Sequence, residues 1–219
     1  MDNSEDTTRV IRHTRQGVTD AALSVLDEFG LPDLTMRRLA SVLNVQPSAL
    51  YWHFPNKQAL LAAVSDDILD RMRATPTTSD WRTGLHAEAR ALRDALLAYR
   101  DGAEVVASTL ALGLGGDLAE KRLASAIARG GFDDRITSAS ATAVLHFILG
   151  YVSREQQRLQ ASSLGAAHES DGSLEATYES ADGFDFGITL LAGGLDAYVS
   201  APMDRTRSRD RTRTSPAGR

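Results

Sequence analysis

The sequence predicts an all-α protein, and three observations support that fold class. Hydrophobic residues make up 42% of the 219-residue chain and aromatic residues only 6%, without the dense alternation of β-branched side chains that is typical of strands. Apolar positions recur at intervals of three and four residues, as they do on one face of a helix. Glycine and proline interrupt this pattern at several points, which predicts a series of helices joined by turns.

Two helices are predicted before residue 44. The apolar face of the first comprises Ile11, Val18, Ala22, Val25 and Phe29. Gly30 follows this face and can end the helix as a C′ glycine. Thr35 can then cap a second helix, because a threonine hydroxyl accepts a hydrogen bond from the first turn. The apolar stripe of this second helix comprises Met36, Leu39, Ala40 and Leu43.

A short third helix and a longer fourth one complete the N-terminal part. Asn44 tolerates a positive φ and can supply the turn before the third helix, which begins at Pro47. Pro55 ends that helix, and Asn56 can cap the fourth one, predicted over residues 57–74. A helix of this length spans roughly 27 Å and can link two domains.

Beyond a break at residues 75–79, five further helices are predicted. They cover residues 80–99, 103–112, 117–129, 133–160 and 182–199. The segment 161–175 is rich in Ser, Gly and Ala and is predicted to be a mobile loop. We therefore expect an N-terminal domain over residues 9–57, a helical domain over residues 58–201 and a disordered basic tail over residues 202–219.

The composition excludes several kinds of site. The chain has no cysteine, which excludes a disulfide framework, a thiolate zinc site, an Fe–S cluster and a cysteine nucleophile. The N-terminus is acidic, and the longest apolar run, residues 141–152, is interrupted by His146 and is too short to cross a bilayer. We expect a cytoplasmic protein without a membrane segment, and we expect neither a metal ion nor another cofactor.

The formal net charge of -5 is unevenly distributed along the chain. Residues 9–57 carry six basic and four acidic side chains, whereas residues 58–201 carry twelve basic and twenty acidic ones. Residues 202–219 add six arginines and two aspartates. This basic surplus at both ends allows a nucleic-acid partner, because binding to phosphates requires local rather than overall positive charge.

The segment 35–57 carries the most informative motif. It reads TMRRLASVLNVQPSALYWHFPNK, and its two short helices joined by a tight turn have the dimensions of a helix-turn-helix. The segment resembles the DNA-binding domain of the TetR family, whose recognition helix ends in Leu-Tyr-x-His-Phe with a Lys one turn later. Those positions are Leu50, Tyr51, His53, Phe54 and Lys57, although Phe54 can alternatively be a core aromatic residue. The Tyr-Trp-His triplet and the later stretch YRDGA resemble the tetracycline-repressor branch more specifically.

Roles in DNA recognition follow from these positions. Arg37 can bind a guanine edge with both ends of its guanidinium, and the resemblance implies the same role. Tyr51 and His53 can bind phosphates, and Lys57 adds positive charge at a helix N-terminus. We expect Trp52 to pack against the protein more than it contacts phosphate. The small side chains at the start of the third helix let that helix approach the floor of the major groove. The predicted DNA-binding residues are Thr35, Arg37, Pro47, Ser48, Ala49, Tyr51, Trp52, His53 and Lys57.

One helix-turn-helix makes few contacts, so we expect a homodimer that binds both halves of a palindromic operator. The resemblance implies that two long C-terminal helices of each subunit form the dimer interface. The predicted interface residues are Leu149, Val152, Ser153, Ile188, Leu191 and Leu195, and the same stripes include His146, Phe184 and Val199. The alternative is that these stripes face the core of their own subunit.

The resemblance also implies that the helical domain binds a small-molecule effector. The predicted pocket residues are Arg73, Glu88, Leu92, Val106, Thr109, Leu110 and Phe147, with ordinary core packing as the alternative. We expect a largely apolar effector, to which Glu88 could add a preference for a cation. Val106 and Arg154 stand where the tetracycline branch has a metal-binding histidine and a supporting acidic residue. A magnesium-chelated tetracycline is therefore not expected.

The expected function is ligand-responsive repression of transcription. A transcription activator and a ligand-independent DNA-binding regulator are the alternatives, because operator position decides the sign of regulation. A helical enzyme is a remote alternative, since the five histidines form no H-E-x-x-H pair and the chain lacks a G-x-S-x-G elbow and a phosphate loop. The arginine-rich tail could add non-specific affinity for DNA that fades with salt.

Overall fold

The computed structural model of the chain describes residues 14–163 and 181–200, which form helices and turns without a strand. The helices are α1 (Arg15–Phe29), α2 (Met36–Val42), α3 (Pro47–Tyr51), α4 (Lys57–Asp70), α5 (Trp81–Leu97), α6 (Gly102–Ala111), α7 (Asp117–Ala128), α8 (Asp134–Ser163) and α9 (Ala181–Ser200). The predicted all-α fold class is confirmed. Ile11 of the predicted first helix, most of the predicted loop and the basic tail lie outside the described residues.

Side chains predicted as caps begin α2 and α4. Thr35 Oγ1 accepts a hydrogen bond from the amide of Arg38 at 3.1 Å, and Asn56 Oδ1 accepts one from the amide of Ala59 at 2.8 Å. Between α2 and α3, Asn44 has a φ of 53°, as its predicted place in the turn requires. These local signals fix how the two short helices are joined.

α4 ends at Asp70, four residues earlier than predicted. The next two amides close tighter i→i−3 turns. The carbonyl groups of Met72 and Arg73 then accept hydrogen bonds from Arg122 of α7, at 3.2 and 2.7 Å. The hydrogen bonds from Arg122 thus replace the backbone hydrogen bonds that these two carbonyl groups would accept in a longer α4. α8 runs further than predicted, so that residues 161–163 are helical rather than part of a loop.

Buried apolar side chains form a core that runs from α1 to α9. α5 packs against α4, α6, α7, α8 and α9 and so connects the other helices of the larger domain. Phe147 and Tyr151 of α8 lie against Phe184 of α9, with ring centroids 5.9 and 5.4 Å from that of Phe184. Gly187 makes room for this cluster, because a Cβ there would lie 2.2 Å from Cζ of Phe147.

Ion pairs hold α9 against α5. Arg90 donates to both carboxylate oxygens of Asp185, at 2.9 and 2.6 Å, and Arg82 pairs with Asp196. The hydrogen bonds from Arg90 hold the pKa of Asp185 below its usual range. Because α9 is apolar on more than one side, these pairs help to decide which of its faces points inward.

The turn between α5 and α6 joins the N-terminal helices to the larger domain. Asp101, in a left-handed conformation with φ 55°, accepts hydrogen bonds from the amide of Leu31 at 2.8 Å and from Gln160 Nε2 of α8 at 2.5 Å. Gly30, with φ 83°, lies directly beneath, and a Cβ on it would be 2.8 Å from Asp101 Oδ2. Gly30 therefore ends α1, as predicted, and also leaves space for this contact between the two parts of the chain.

α8 includes a segment, Asp134–Ser162, that is long and apolar enough to cross a membrane by length and composition alone. Its inner face packs against α5, α6, α7 and α9. That packing is typical of a core helix, which passes the same test of length and composition.

Candidate nucleic-acid interface

Two buried side chains anchor the recognition helix α3 and the turn that follows it, and two large aromatic side chains between these anchors are exposed. Leu50 and Phe54 are 1% and 0% exposed, so both belong to the core. Phe54 is therefore a core aromatic residue, which is the alternative given for it in the sequence analysis. Tyr51 is 50% exposed and Trp52 is 91% exposed. The expectation that Trp52 mainly packs is therefore wrong, because α3 ends at Tyr51 and directs the indole into solvent.

The other predicted DNA-binding residues also lie at accessible positions on α2, α3 and the start of α4. Thr35, Arg37, Ser48 and Ala49 are exposed, whereas Pro47, His53 and Lys57 are half-buried. Lys57 is the first residue of α4, where free amide groups add to its positive charge. The structure thus leaves every predicted contact residue accessible to a ligand.

The adjacent arginines of α2 have different surroundings. Arg38 donates to Asp33 at 3.0 Å, and its guanidinium lies 3.6 Å from the ring centroid of Phe29. Arg37 is exposed and forms no hydrogen bond or ion pair with any of the described residues. Arg38 therefore has a structural role, and Arg37 is available to an external partner.

A further cation next to α3 was not singled out from the sequence. The guanidinium of Arg15, at the start of α1, lies 4.5 Å from the ring centroid of Phe54. Its side chain is exposed, so it can reach a phosphate beside the recognition helix. Only its charge could be read from the sequence, because its proximity to α3 depends on how α1 packs.

The predicted pocket residues are mostly packed. Leu92, Val106 and Thr109 are at most 1% exposed, and the Thr109 hydroxyl donates to the carbonyl of Val106 within its own helix at 2.9 Å. Leu110 is half-buried beneath Gly116, which has no room for a Cβ beside it. Within residues 14–163 and 181–200, no group of three or more His, Asp or Glu side chains could hold a metal ion.

Glu88 is occupied by two partners from its own chain. Arg122 Nε donates to Glu88 Oε2 at 2.7 Å, and the Thr75 hydroxyl donates to Oε1. Glu88 is only 8% exposed. Arg122 already neutralises Glu88, which argues against the prediction that Glu88 attracts a cationic effector. Nothing in the sequence linked Arg122 to this site, since the two residues lie on different helices.

Three of the predicted interface residues are buried within the subunit. Val152 and Ile188 are 0% exposed and so pack in the core of their own subunit, which corrects the prediction for these two residues. Leu149 is 6% exposed and also packs mainly within the subunit. Side chains at the centre of an apolar stripe pack most deeply in their own core. Ser153, Leu191 and Leu195 are half-buried, and His146 is exposed.

An open cleft of about 400 Å³ lies between the first half of α8 and the second half of α9. Its lining includes Leu85, Val144, Leu191, Leu195 and Tyr198. None of the seven predicted pocket residues lines it. The cleft instead lies next to the exposed side of α9, to which Tyr198 belongs.

Comparison with known proteins gives two family matches that together cover most of the chain. Residues 18–64 match the family described as bacterial regulatory proteins of the tetR family, and residues 74–182 match the tetracyclin repressor-like C-terminal domain. The tetracycline repressor protein class C of Escherichia coli is 33% identical over 198 residues, which are 83% of this chain and 90% of that protein.

Two solved structures share the fold over most of the chain. BioQ of Mycobacterium smegmatis is 42% identical with a TM-score of 0.75, over 84% of this chain and 98% of that one. BioQ bound to its natural double-stranded DNA operator is 40% identical with a TM-score of 0.70, over the same shares of the two chains. The helix-turn-helix, its accessible recognition residues and these matches agree: the chain belongs to the TetR family of bacterial transcription regulators, in the branch that resembles the tetracycline repressors.

Proposed function

We propose that this regulator binds a palindromic operator as a homodimer and represses transcription until a small-molecule effector releases it. The observation that carries the DNA-binding part is the 91% exposure of Trp52 between two buried anchors. Two adjacent large aromatic side chains, Tyr51 and Trp52, that are exposed to water favour an external partner. BioQ, which shares the fold, is bound to operator DNA in its crystal structure. We place the protein in the cytoplasm, where operator DNA is accessible.

Two kinds of contact divide the work of recognition. Arg37 reads a base edge, because its guanidinium is exposed and lacks a partner among the described residues. Phosphates on either side of α3 are contacted by Lys57, Tyr51 and Arg15. These contacts fix the position of the N-terminal helix-turn-helix domain, here called the DNA-binding head, on the duplex. Specificity should therefore depend on Arg37 and on the start of α3, and overall affinity on the phosphate contacts.

Arg37→Ala is expected to weaken operator binding by about 1 to 3 kcal/mol and to relax the preference at one base position in each half-site. Lys57→Ala should weaken binding to all sequences alike and reduce the salt dependence by about one counterion. Fluorescence anisotropy with single-base operator variants, repeated over a series of salt concentrations, measures both effects.

Arg38→Ala is the matched control for this experiment. It removes a neighbouring arginine that is held by Asp33 and Phe29, so it should lower stability without changing the base preference. Equal effects of the Arg37 and Lys57 variants on base preference would contradict the division into reading and positioning residues.

We propose a dimer interface on the exposed flank of α9 together with the neighbouring flank of α8. Phe186, Leu190 and Tyr198 of α9 are 53%, 58% and 66% exposed, which is unusual for large apolar side chains grouped on one helix. His146 and Gly150 are exposed on α8. This flank takes the place of the buried residues in the interface predicted from the sequence. Of that predicted interface, it keeps Ser153, Leu191 and Leu195 at its edge.

The effector is proposed to be largely apolar and to bind within the helical domain. The predicted pocket residues lie mainly on α5, α6 and α8 and are largely packed, so an effector that binds there has to move these helices apart. Val106 and Arg154 stand in place of the metal-binding groups of the tetracycline branch, which argues against a metal-chelated drug. A screen for compounds that release the selected operator tests this part, and release by magnesium-tetracycline alone would contradict it.

A further inference from the structure

We propose that Arg122 is a positioning residue: it fixes the end of α4, and through α4 the DNA-binding head, relative to the helical domain. This inference deepens the proposed function and rests on it for its regulatory meaning. The arrangement of Arg122 in the structure does not depend on DNA, so the inference can also be tested without DNA.

One guanidinium joins three parts of the chain. Arg122 of α7 donates from Nε to Glu88 of α5 at 2.7 Å, from Nη1 to the carbonyl of Met72 at 3.2 Å and from Nη2 to the carbonyl of Arg73 at 2.7 Å. The two carbonyl groups follow directly after α4. Arg122 therefore holds the point at which α4 leaves its helical path. The planar guanidinium reaches the three acceptors from three separate nitrogens, whereas a lysine has only one nitrogen from which to donate.

Burial makes this arrangement stiff. The side chains of Arg122 and Glu88 are 20% and 10% exposed, and Thr75 also donates to Glu88. Loss of one member of a buried pair leaves the other charge without compensation. The pair is therefore held in one geometry, and a shift of α7 relative to α5 must also move the end of α4.

A second contact ties α4 to the start of α7. Asp66 Oδ1 of α4 accepts a hydrogen bond from the amide of Gly116, the residue before α7, at 3.0 Å. A Cβ on Gly115 would lie 2.9 Å from the same oxygen, so the turn approaches α4 closely. Contacts from Gly116 and from Arg122 thus connect α4 to both the start and the middle of α7, and the two helices should move together.

The position of α4 matters because α4 reaches the DNA-binding surface. Its first residue is Lys57 and its last is Asp70, a length of about 21 Å at the usual rise. A tilt of about 5° about the clamped end would move Lys57 by about 2 Å, which changes the separation of two heads in a dimer. An effector that shifts α7 can therefore be coupled to operator affinity through Arg122.

Two variants separate positioning from stability. Arg122→Lys keeps a charge next to Glu88 but replaces three donor nitrogens by one, so it should weaken the contacts to the two carbonyl groups. The double variant Arg122→Met with Glu88→Met removes both charges and so avoids an unpaired one, which should preserve thermal stability. Both variants should loosen α4.

The first readout is the distance between the head and the helical domain. The chain has no cysteine, so Ser41→Cys in α2 and Ser138→Cys in α8 allow clean spin labelling at two exposed positions. Labelled subunits are diluted with unlabelled ones, and the intramolecular distance distribution is measured without DNA. Both variants should broaden and shift the distribution; an unchanged distribution in both would overturn the proposal, whether or not the protein binds DNA.

The second readout is discrimination between the selected operator and one with a single base pair inserted between its half-sites. In both variants, the ratio of the affinities for the two operators should fall by about 10-fold, which is within the usual range of allosteric coupling. If the double variant keeps the wild-type melting temperature and the wild-type discrimination, Arg122 does not position α4 and the proposal is overturned. A wild-type protein that binds no palindrome contradicts the proposed function instead, and the distance measurement still decides the role of Arg122.

Discussion

Phe54→Ala is expected to lower the free energy of unfolding by about 3 to 5 kcal/mol, the usual effect of removing a large aromatic ring from a core. Phe54 is fully buried between α3 and α4 in the chain, and the guanidinium of Arg15 at the start of α1 lies 4.5 Å from its ring centroid. Chemical denaturation followed by circular dichroism measures the loss. DNA binding should disappear with it, because the head loses its fold.

Trp52→Ala is the matched control for Phe54→Ala. It removes an aromatic ring of similar size two residues away, but one that is 91% exposed. Its stability should stay within about 0.5 kcal/mol of wild type, since exposed side chains contribute little to folding. Its affinity for the operator should nevertheless fall. Equal losses of stability in the two variants would contradict the assignment of one ring to the core and the other to the DNA surface.

Leu190→Arg is expected to convert the dimer into folded monomers and to weaken operator binding by about 10² to 10⁴-fold, the gain normally provided by two linked binding modules. Leu190 lies at the centre of the exposed flank of α9, and two arginines facing each other there would be desolvated and would repel. Sedimentation at several concentrations, combined with anisotropy on the palindromic operator, measures both effects.

Leu112→Arg provides the control for this charge. Leu112 is 60% exposed, close to the 58% of Leu190, but it ends α6 and lies outside the proposed interface. This variant should remain dimeric and bind the operator normally. Dimerisation that survives Leu190→Arg would show that the subunits associate through another surface.

The head could be predicted in detail because its signals are local. Thr35, Asn44, Pro47 and Asn56 each fix a cap, a turn or a helix start through contacts within three residues of themselves. Such contacts form independently of how the rest of the chain folds. The different roles of Arg37 and Arg38 could not be predicted, because they depend on where Asp33 and Phe29 are placed by folding.

The interface and the pocket were harder to predict, for two physical reasons. α9 carries large apolar side chains both on its buried face, with Ile188, and on its exposed face, with Leu190, so hydrophobic periodicity does not distinguish the core from a subunit contact. The predicted preference for a cationic effector depended on Glu88, whose partner Arg122 lies 34 residues further along the chain. A salt bridge over that distance is set by helix packing, which a single sequence does not reveal.

Selection of bound sequences from random duplex DNA by the purified protein tests whether α3 and its flanks read DNA. We expect recovery of a two-fold palindrome that binds one dimer and that the Tyr51→Ala and Lys57→Ala variants bind poorly. Failure to enrich any sequence, or enrichment of one that both variants bind as tightly as wild type, would contradict the claim that α3 and its flanks form the DNA-reading surface.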